Sequence, residues 1–215
     1  MRQPCVLYCA PGSGLGHLNR ALAVCLELRA LGVRAQIVSN SPFAAGLAQL
    51  ARFPIVEIPP ERWRADIREF VLAARPKLMV CDTFPRGLRG EWSVGLPAPA
   101  VYMARRLKLD AVVQFLGESG WPDGLVQIIA AEDLASEHEA ALLESRIPIC
   151  RLPGRIRLRP EELATEVPTE LDRLWIRGAA CWWCTGGRSR KRPVWLPLRG
   201  CTVSRPPSSP GRGRI

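Results

Sequence analysis

Cys5-Val6-Leu7-Tyr8-Cys9-Ala10-Pro11-Gly12-Ser13-Gly14-Leu15-Gly16-His17-Leu18-Asn19-Arg20 is the stretch on which the reading of the fold turns. Residues 5–10 form a short apolar run bounded by Pro4 and Pro11, the pattern of a strand buried on both faces of a parallel sheet. Residues 11–16 are a glycine-rich loop. From His17 to residue 31, Leu18, Ala21, Leu22, Cys25 and Leu28 fall on one helical face, and Gly32 supplies the stop. A strand, a glycine loop and a helix in that order open a βαβ unit.

The same alternation continues outward. Strands are predicted over residues 35–39, 55–58, 78–81, 100–103 and 125–130, with a seventh over 147–150. Helices are predicted between them, over residues 41–52, 61–74, 107–116 and 136–145. The first of these opens with Ser41 as a hydroxyl cap and Pro42 in the first turn. Strands separated by helices of this length imply right-handed crossovers and an α/β, doubly wound parallel sheet of Rossmann-like type. Ligands of such sheets bind outside the carboxyl ends of the strands, so the informative loops follow Ala10, Ser39, Cys81 and Met103.

Charge divides the chain in two. Residues 1–173 carry 21 Lys and Arg against 20 Asp and Glu, whereas residues 174–215 carry nine basic residues and no acid. That last segment also holds four Trp, five Pro and six Gly, including the basic run Arg188-Ser189-Arg190-Lys191-Arg192, and shows no lasting helix or strand period. The expected organisation is a domain over residues 1–150, a linker or partial helix over 151–173, and an irregular, disordered basic tail over 174–215. With 47% hydrophobic and 23% charged residues, collagen-like and wholly disordered classes are excluded. No apolar run reaches the roughly 20 residues of a spanning helix, so no transmembrane segment is expected. The eight Cys lack the spacing of a secreted disulfide framework, and the N-terminal apolar run is too short for a secretory leader, which together predict a reducing, cytoplasmic context. Cys181-Trp182-Trp183-Cys184 is a lone C-x-x-C pair without a second pair at zinc spacing, so no metal is expected.

The glycine loop is the leading candidate for chemistry. Gly12, Ser13, Gly14 and Gly16 bring backbone close to a ligand, and the following helix N-terminus offers unpaired N–H groups to a phosphate or a developing oxyanion. The dinucleotide fingerprint fails, since the third Gly is one place early and the second strand ends Val38-Ser39-Asn40 without an acid for a ribose. The phosphate loop of nucleotide hydrolases fails too, for want of its Lys. No cofactor is therefore expected. His17 sits in the first helical turn, where a neutral imidazole can act as a general base. Asp82 ends the fourth strand. In a 3-2-1-4 strand order it lies on the same rim as His17, where it either orients the imidazole or caps its own turn. Asn40, Arg86 and Arg89 stand in rim loops, available to an acceptor or engaged locally.

Gly14-Leu15-Gly16-His17-Leu18-Asn19-Arg20-Ala21-Leu22-Ala23, with residues 78–84 ending in Asp82-Thr83-Phe84, resembles the N-terminal half of GT-B glycosyltransferases. The resemblance implies an acceptor-binding domain in which His17 deprotonates an acceptor hydroxyl and Asp82 supports it, with sugar delivered from a nucleotide-sugar donor. Sugar-nucleotide epimerases and hydrolases share that fold and are the alternative within it. The family's donor-binding domain has no counterpart after Asp172, so the resemblance implies a chain inactive alone, its donor site mostly missing, with a second chain as the possible source of that domain. The abrupt tail reads as a shifted frame or a truncated gene. A different class remains open: a non-catalytic binding protein whose basic, Trp-containing tail engages nucleic acid or an anionic surface. Nucleic acid is not the favoured partner.

Overall fold

The computed structural model of the protein describes residues 4–107, 110, 120–152, 156 and 203–204. Its centre is β1 (Val6–Ala10), all five residues of which are buried. Val6, Tyr8 and Ala10 point to one face of the sheet and Leu7 and Cys9 to the other, each into its own apolar cluster. Strand geometry sends successive side chains to opposite faces, so a strand covered on both sides reads as an unbroken apolar run.

Beside β1 lie β2 (Ala35–Ser39) and, beyond it, β3 (Ile55–Glu57). On the other side follow β4 (Leu78–Asp82), β5 (Ala100–Ala104), β6 (Leu125–Ala130) and β7 (Ile149–Arg151). All these pairs are parallel, in the order 3-2-1-4-5-6-7. The doubly wound α/β sheet read from the sequence is the fold of the protein. The chain reverses direction across the sheet between β1 and β4, which puts the loops after these two strands side by side.

Helices cover both faces. α1 (Leu15–Ala30) and α2 (Ala44–Ala51) bury Leu18, Leu22, Cys25, Leu47 and Leu50 against the Val6–Tyr8–Ala10 face. α3 (Pro60–Ala74) buries Trp63, Ile67 and Val71 against the Leu7–Cys9 face. Trp63, Ile67 and Val71 are four apart, one stripe of a 3.6-residue helix. α4 (Ser136–Glu144) contributes Leu142 to a third cluster with Tyr102, Ile128 and Ile149. Among the described residues no helix is long and apolar enough to cross a membrane.

Several expectations are corrected. α1 starts at Leu15, two residues before the position expected, because Leu15 already packs on the core; Gly16 is thus helical, and the loop is confined to residues 11–14. α2 starts at Ala44 behind Phe43, without a side-chain cap. Ser41 instead closes a turn ahead of it, its carbonyl accepting the Ala44 N–H at 3.1 Å. Val203–Ser204 forms β8, pairing antiparallel with β7; an open sheet edge offers unpaired backbone groups to any such segment. Cys150, on β7, is disulfide-bonded, which the reduced-thiol reading did not anticipate, whereas Cys5, Cys9, Cys25 and Cys81 are free. The helix expected over 107–116, the linker at 151–173 and the C-x-x-C pair lie largely or wholly outside the described residues.

Candidate active site

The β1–α1 loop is shaped by its glycines unequally. Gly12 has φ +125°, and a Cβ there would stand 3.0 Å from His17 Cδ2 and 3.2 Å from Nε2, so a side chain at this position is both strained and in the way of the imidazole. The Gly12 N–H donates to Asn40 Oδ1 at 2.7 Å. Ser39 Oγ donates to the Ala10 carbonyl at 2.7 Å. The ends of β1 and β2 are thereby tied together, and Asn40, which the sequence left available to an acceptor, is buried and anchors the glycine loop. Gly14 caps α1 with φ −94°, and a Cβ there would meet nothing within 4 Å. It and Ser13 are exposed on the rim.

His17 and Asp82 meet. His17 Nδ1 lies 2.8 Å from Asp82 Oδ2. Asp82 is fully buried and His17 largely so, with 17% of its side chain exposed. An ionised carboxylate can only accept, so Nδ1 carries the proton in this pair; in the neutral imidazole the ring's acceptor is then Nε2, which lies beside Gly12. The Phe84 ring stacks on the imidazole at 5.8 Å between centroids, with 27° between planes.

A third member, to which the sequence pattern alone assigns no role, is Arg20. Its Nε donates to Asp82 Oδ1 at 2.8 Å and its Nη2 to Oδ2 at 2.7 Å, a two-point clamp on a carboxylate with no solvent contact. The spacing carries part of the signal, since His17 and Arg20 are three apart on α1 and so share a face, but it does not name Asp82 as the partner. Burial by itself would raise the Asp82 pKa, but the His17 hydrogen bond and the Arg20 charge outweigh it and hold the carboxyl below its ordinary value. Burial likewise opposes the charge on Arg20, and Asp82 more than restores it, raising its pKa. Tyr8 lies beneath, its hydroxyl against Arg20 without completing a hydrogen bond of normal geometry. Burial and then Asp82 push that phenol well above its ordinary pKa.

The chain turns sharply after Asp82. Thr83 has φ +68°, an uncommon conformation for a β-branched residue, and the Phe84 N–H returns to the Asp82 carbonyl at 2.8 Å to close a three-residue turn. Three contacts hold the strain. The Thr83 N–H donates to the Met103 carbonyl at 3.0 Å, Tyr102 Oη donates to the Thr83 carbonyl at 3.2 Å, and Arg20 Nη2 reaches Thr83 Oγ1 at 3.4 Å. Strain of this kind costs about 1–3 kcal/mol and persists where neighbours over-determine it. Here it turns Phe84 onto His17.

Of the two rim arginines, left by the sequence either available to an acceptor or engaged locally, Arg86 makes local contacts through its side chain. Arg86 Nε donates to the Gly120 carbonyl at 2.7 Å and Nη1 to the Ser93 carbonyl at 3.4 Å, so its guanidinium ties loops together. Arg89 is exposed, and its backbone N–H donates to Glu91 Oε2 at 2.9 Å. Among the described residues no group of three His, Cys, Asp or Glu is arranged to hold a metal ion.

No protein-family model and no curated protein matches the sequence. Two solved structures of the glycosyltransferase SsfS6 from Streptomyces sp. SF2575 are similar. One is 14% identical with a TM-score of 0.42, over 60% of this chain and 50% of that one. The other, complexed with thymidine diphosphate, is 15% identical with a TM-score of 0.44, over 78% of this chain and 56% of that one. The chain thus spans about half the length of the solved structures it matches.

Proposed function

We propose that the domain formed by residues 1–150 is the acceptor side of a sugar-transferring enzyme of the GT-B type, with His17 as general base and Asp82 as its orienting carboxylate. The observation that carries this reading is the 2.8 Å contact between His17 Nδ1 and a fully buried Asp82, which leaves Nε2 as the ring nitrogen turned away from the carboxylate. An acceptor hydroxyl placed against Nε2 gives up its proton as it attacks the anomeric carbon of a nucleotide-sugar, whose bond to the phosphate oxygen breaks so that the nucleotide departs with that electron pair. Asp82 then stabilises the imidazolium that forms, without itself taking the proton. Arg20 keeps Asp82 ionised for that purpose, and Phe84 holds the ring's plane. The nucleotide-sugar is assigned to parts beyond this domain, including a separate chain. The loop residues Gly12, Ser13 and Gly14, with Gly16 in the first turn of α1, are assigned to the acceptor's side of the site.

The test is a transfer assay with radiolabelled UDP-, dTDP- and GDP-sugars. It uses the full chain alone and with an extract of source cells lacking its gene, so that a donor-side partner is present. His17→Ala is expected to lower kcat by about 10²–10⁴ with little change in the KM for the donor. Asp82→Asn lowers kcat as well. Transfer unaffected by His17→Ala, or no sugar moved from any donor in either setting, overturns the reading. Release of free sugar in place of transfer assigns the same dyad to hydrolysis.

A further inference from the structure

Next to the His17–Asp82 pair, on the Leu7–Cys9 side of the sheet, is a small open recess. Trp63, Trp92 and Phe84 supply aromatic walls, Asp82 and Glu91 its two carboxyl groups, and Cys9 and Cys81 part of its lining. Glu91 stands out. It is buried, with only 7% of it exposed. Its Oε2 accepts the Arg89 N–H, but its Oε1 is buried with no hydrogen-bond partner among the described residues. A buried polar atom left unpaired costs roughly 1–3 kcal/mol, more when charged, so such an atom calls for a partner.

The loop is built around this carboxyl group. Gly87 has φ +84°, and a Cβ there would fall 2.0 Å from Glu91 Oε2, so residue 87 admits no side chain while Glu91 holds its place. The charge balance of the recess is one-sided. Asp82 is answered by Arg20 and His17, whereas Glu91 makes no ion pair among the described residues, and no Lys, Arg or His among them lines the recess. Aromatic faces attract cations through their ring quadrupoles, and a carboxylate oxygen beside them completes a site for a small positive group. The enclosed part of the recess has room for one water-sized group, the size of an ammonium head.

We infer that this recess binds a primary ammonium group, with Glu91 Oε1 as its acceptor and Trp63, Trp92 and Phe84 as its walls, so that the molecule presented to His17 is an amine-bearing one such as an amino sugar. The inference rests on the acceptor reading above for the identity of the molecule, but the ammonium site itself does not depend on transfer.

The probe is glucosamine, compared with glucose and N-acetylglucosamine, titrated into the full chain and followed by the indole N–H resonances of Trp63 and Trp92. Those two are assigned through Trp63→Phe and Trp92→Phe variants. Glucosamine is expected to shift both resonances and to bind at least tenfold more tightly than either neutral sugar. Glu91→Gln keeps an oxygen for the Arg89 N–H but presents an amide donor to the recess, and should abolish the tenfold preference. Glu91→Asp, which retains the charge, should keep part of it and serves if the Gln variant is poorly folded. Equal binding of glucosamine and glucose, an unchanged preference in Glu91→Gln, or no shift with glucosamine up to 50 mM overturns the inference and leaves Glu91 Oε1 to a resident water only. Glu91-dependent binding without any sugar transfer would sink the acceptor reading and leave the ammonium site standing. Transfer that depends on His17 but not on Glu91 would do the reverse.

Discussion

Asp82 is the residue on which the site balances. A buried carboxylate is costly, and this one is stabilised by Nε and Nη2 of Arg20, Nδ1 of His17 and, at 3.5 Å, Oγ1 of Thr83. Arg20 depends on Asp82 in the same way, being 6% exposed. Removing either partner strands the other's charge in the core, at an expected cost of about 3–5 kcal/mol. Arg20→Met and Asp82→Asn should therefore each be strongly destabilising. The double variant should lose clearly less than the sum, with a coupling of about 1–3 kcal/mol. Urea unfolding of the four proteins measures this directly, and additive losses would show that the pair does not act as a unit. Lys is not a substitute for Arg20, because the contact is a two-point clamp that a single ammonium cannot reproduce.

At the scale of the element, the β1–α1 loop shows that the glycines of one motif do different work. Gly12 needs its φ of +125° and its missing side chain, since His17 occupies the space. Gly14 has an ordinary φ and open surroundings, and Gly16 is part of α1. Gly12→Ala is thus expected to cost about 1–3 kcal/mol of stability through backbone strain, and to displace the His17 ring. Gly14→Ala should stay within about 1 kcal/mol, the range of a weakened N-cap. Thermal unfolding of the two variants ranks them, and a larger loss for Gly14→Ala would contradict the geometry. The turn after β4 makes the matching case from the other side. There a strained Thr83, not a glycine, delivers Phe84, and nothing in Asp82-Thr83-Phe84-Pro85 announces a positive φ.

For the whole molecule the buried titratable groups predict an acid-sensitive fold. Asp82 has its pKa lowered in the fold, so its stabilisation is present above the unfolded value of about 3.9 and is lost as pH falls through that value towards the folded one. His138, on α4, is fully buried. Burial lowers its pKa, and the Arg105 carbonyl opposes this without forming a hydrogen bond of normal geometry. The unfolded chain therefore takes up that proton first, and stability declines as pH falls below about 6.5. The urea midpoint should be level from pH 8 to 7, fall below about 6.5, and fall again below about 4. His138→Phe should remove the first decline, and a midpoint that rises on acidification to pH 5 would contradict the His138 assignment. How much of this was legible beforehand follows from the range of the forces involved. Strand and helix periods, glycine stops and an apolar run bounded by prolines are local, so the doubly wound sheet, its 3-2-1-4 core and the shared rim of His17 and Asp82 were readable from residue order alone. Contacts across 62 residues, as between Arg20 and Asp82, or a carboxyl oxygen left unpaired at Glu91, leave no periodic trace. They arise only when parallel pairing of β1 with β4 brings separate loops together in a space without water, and there burial, not sequence spacing, sets which charges must meet.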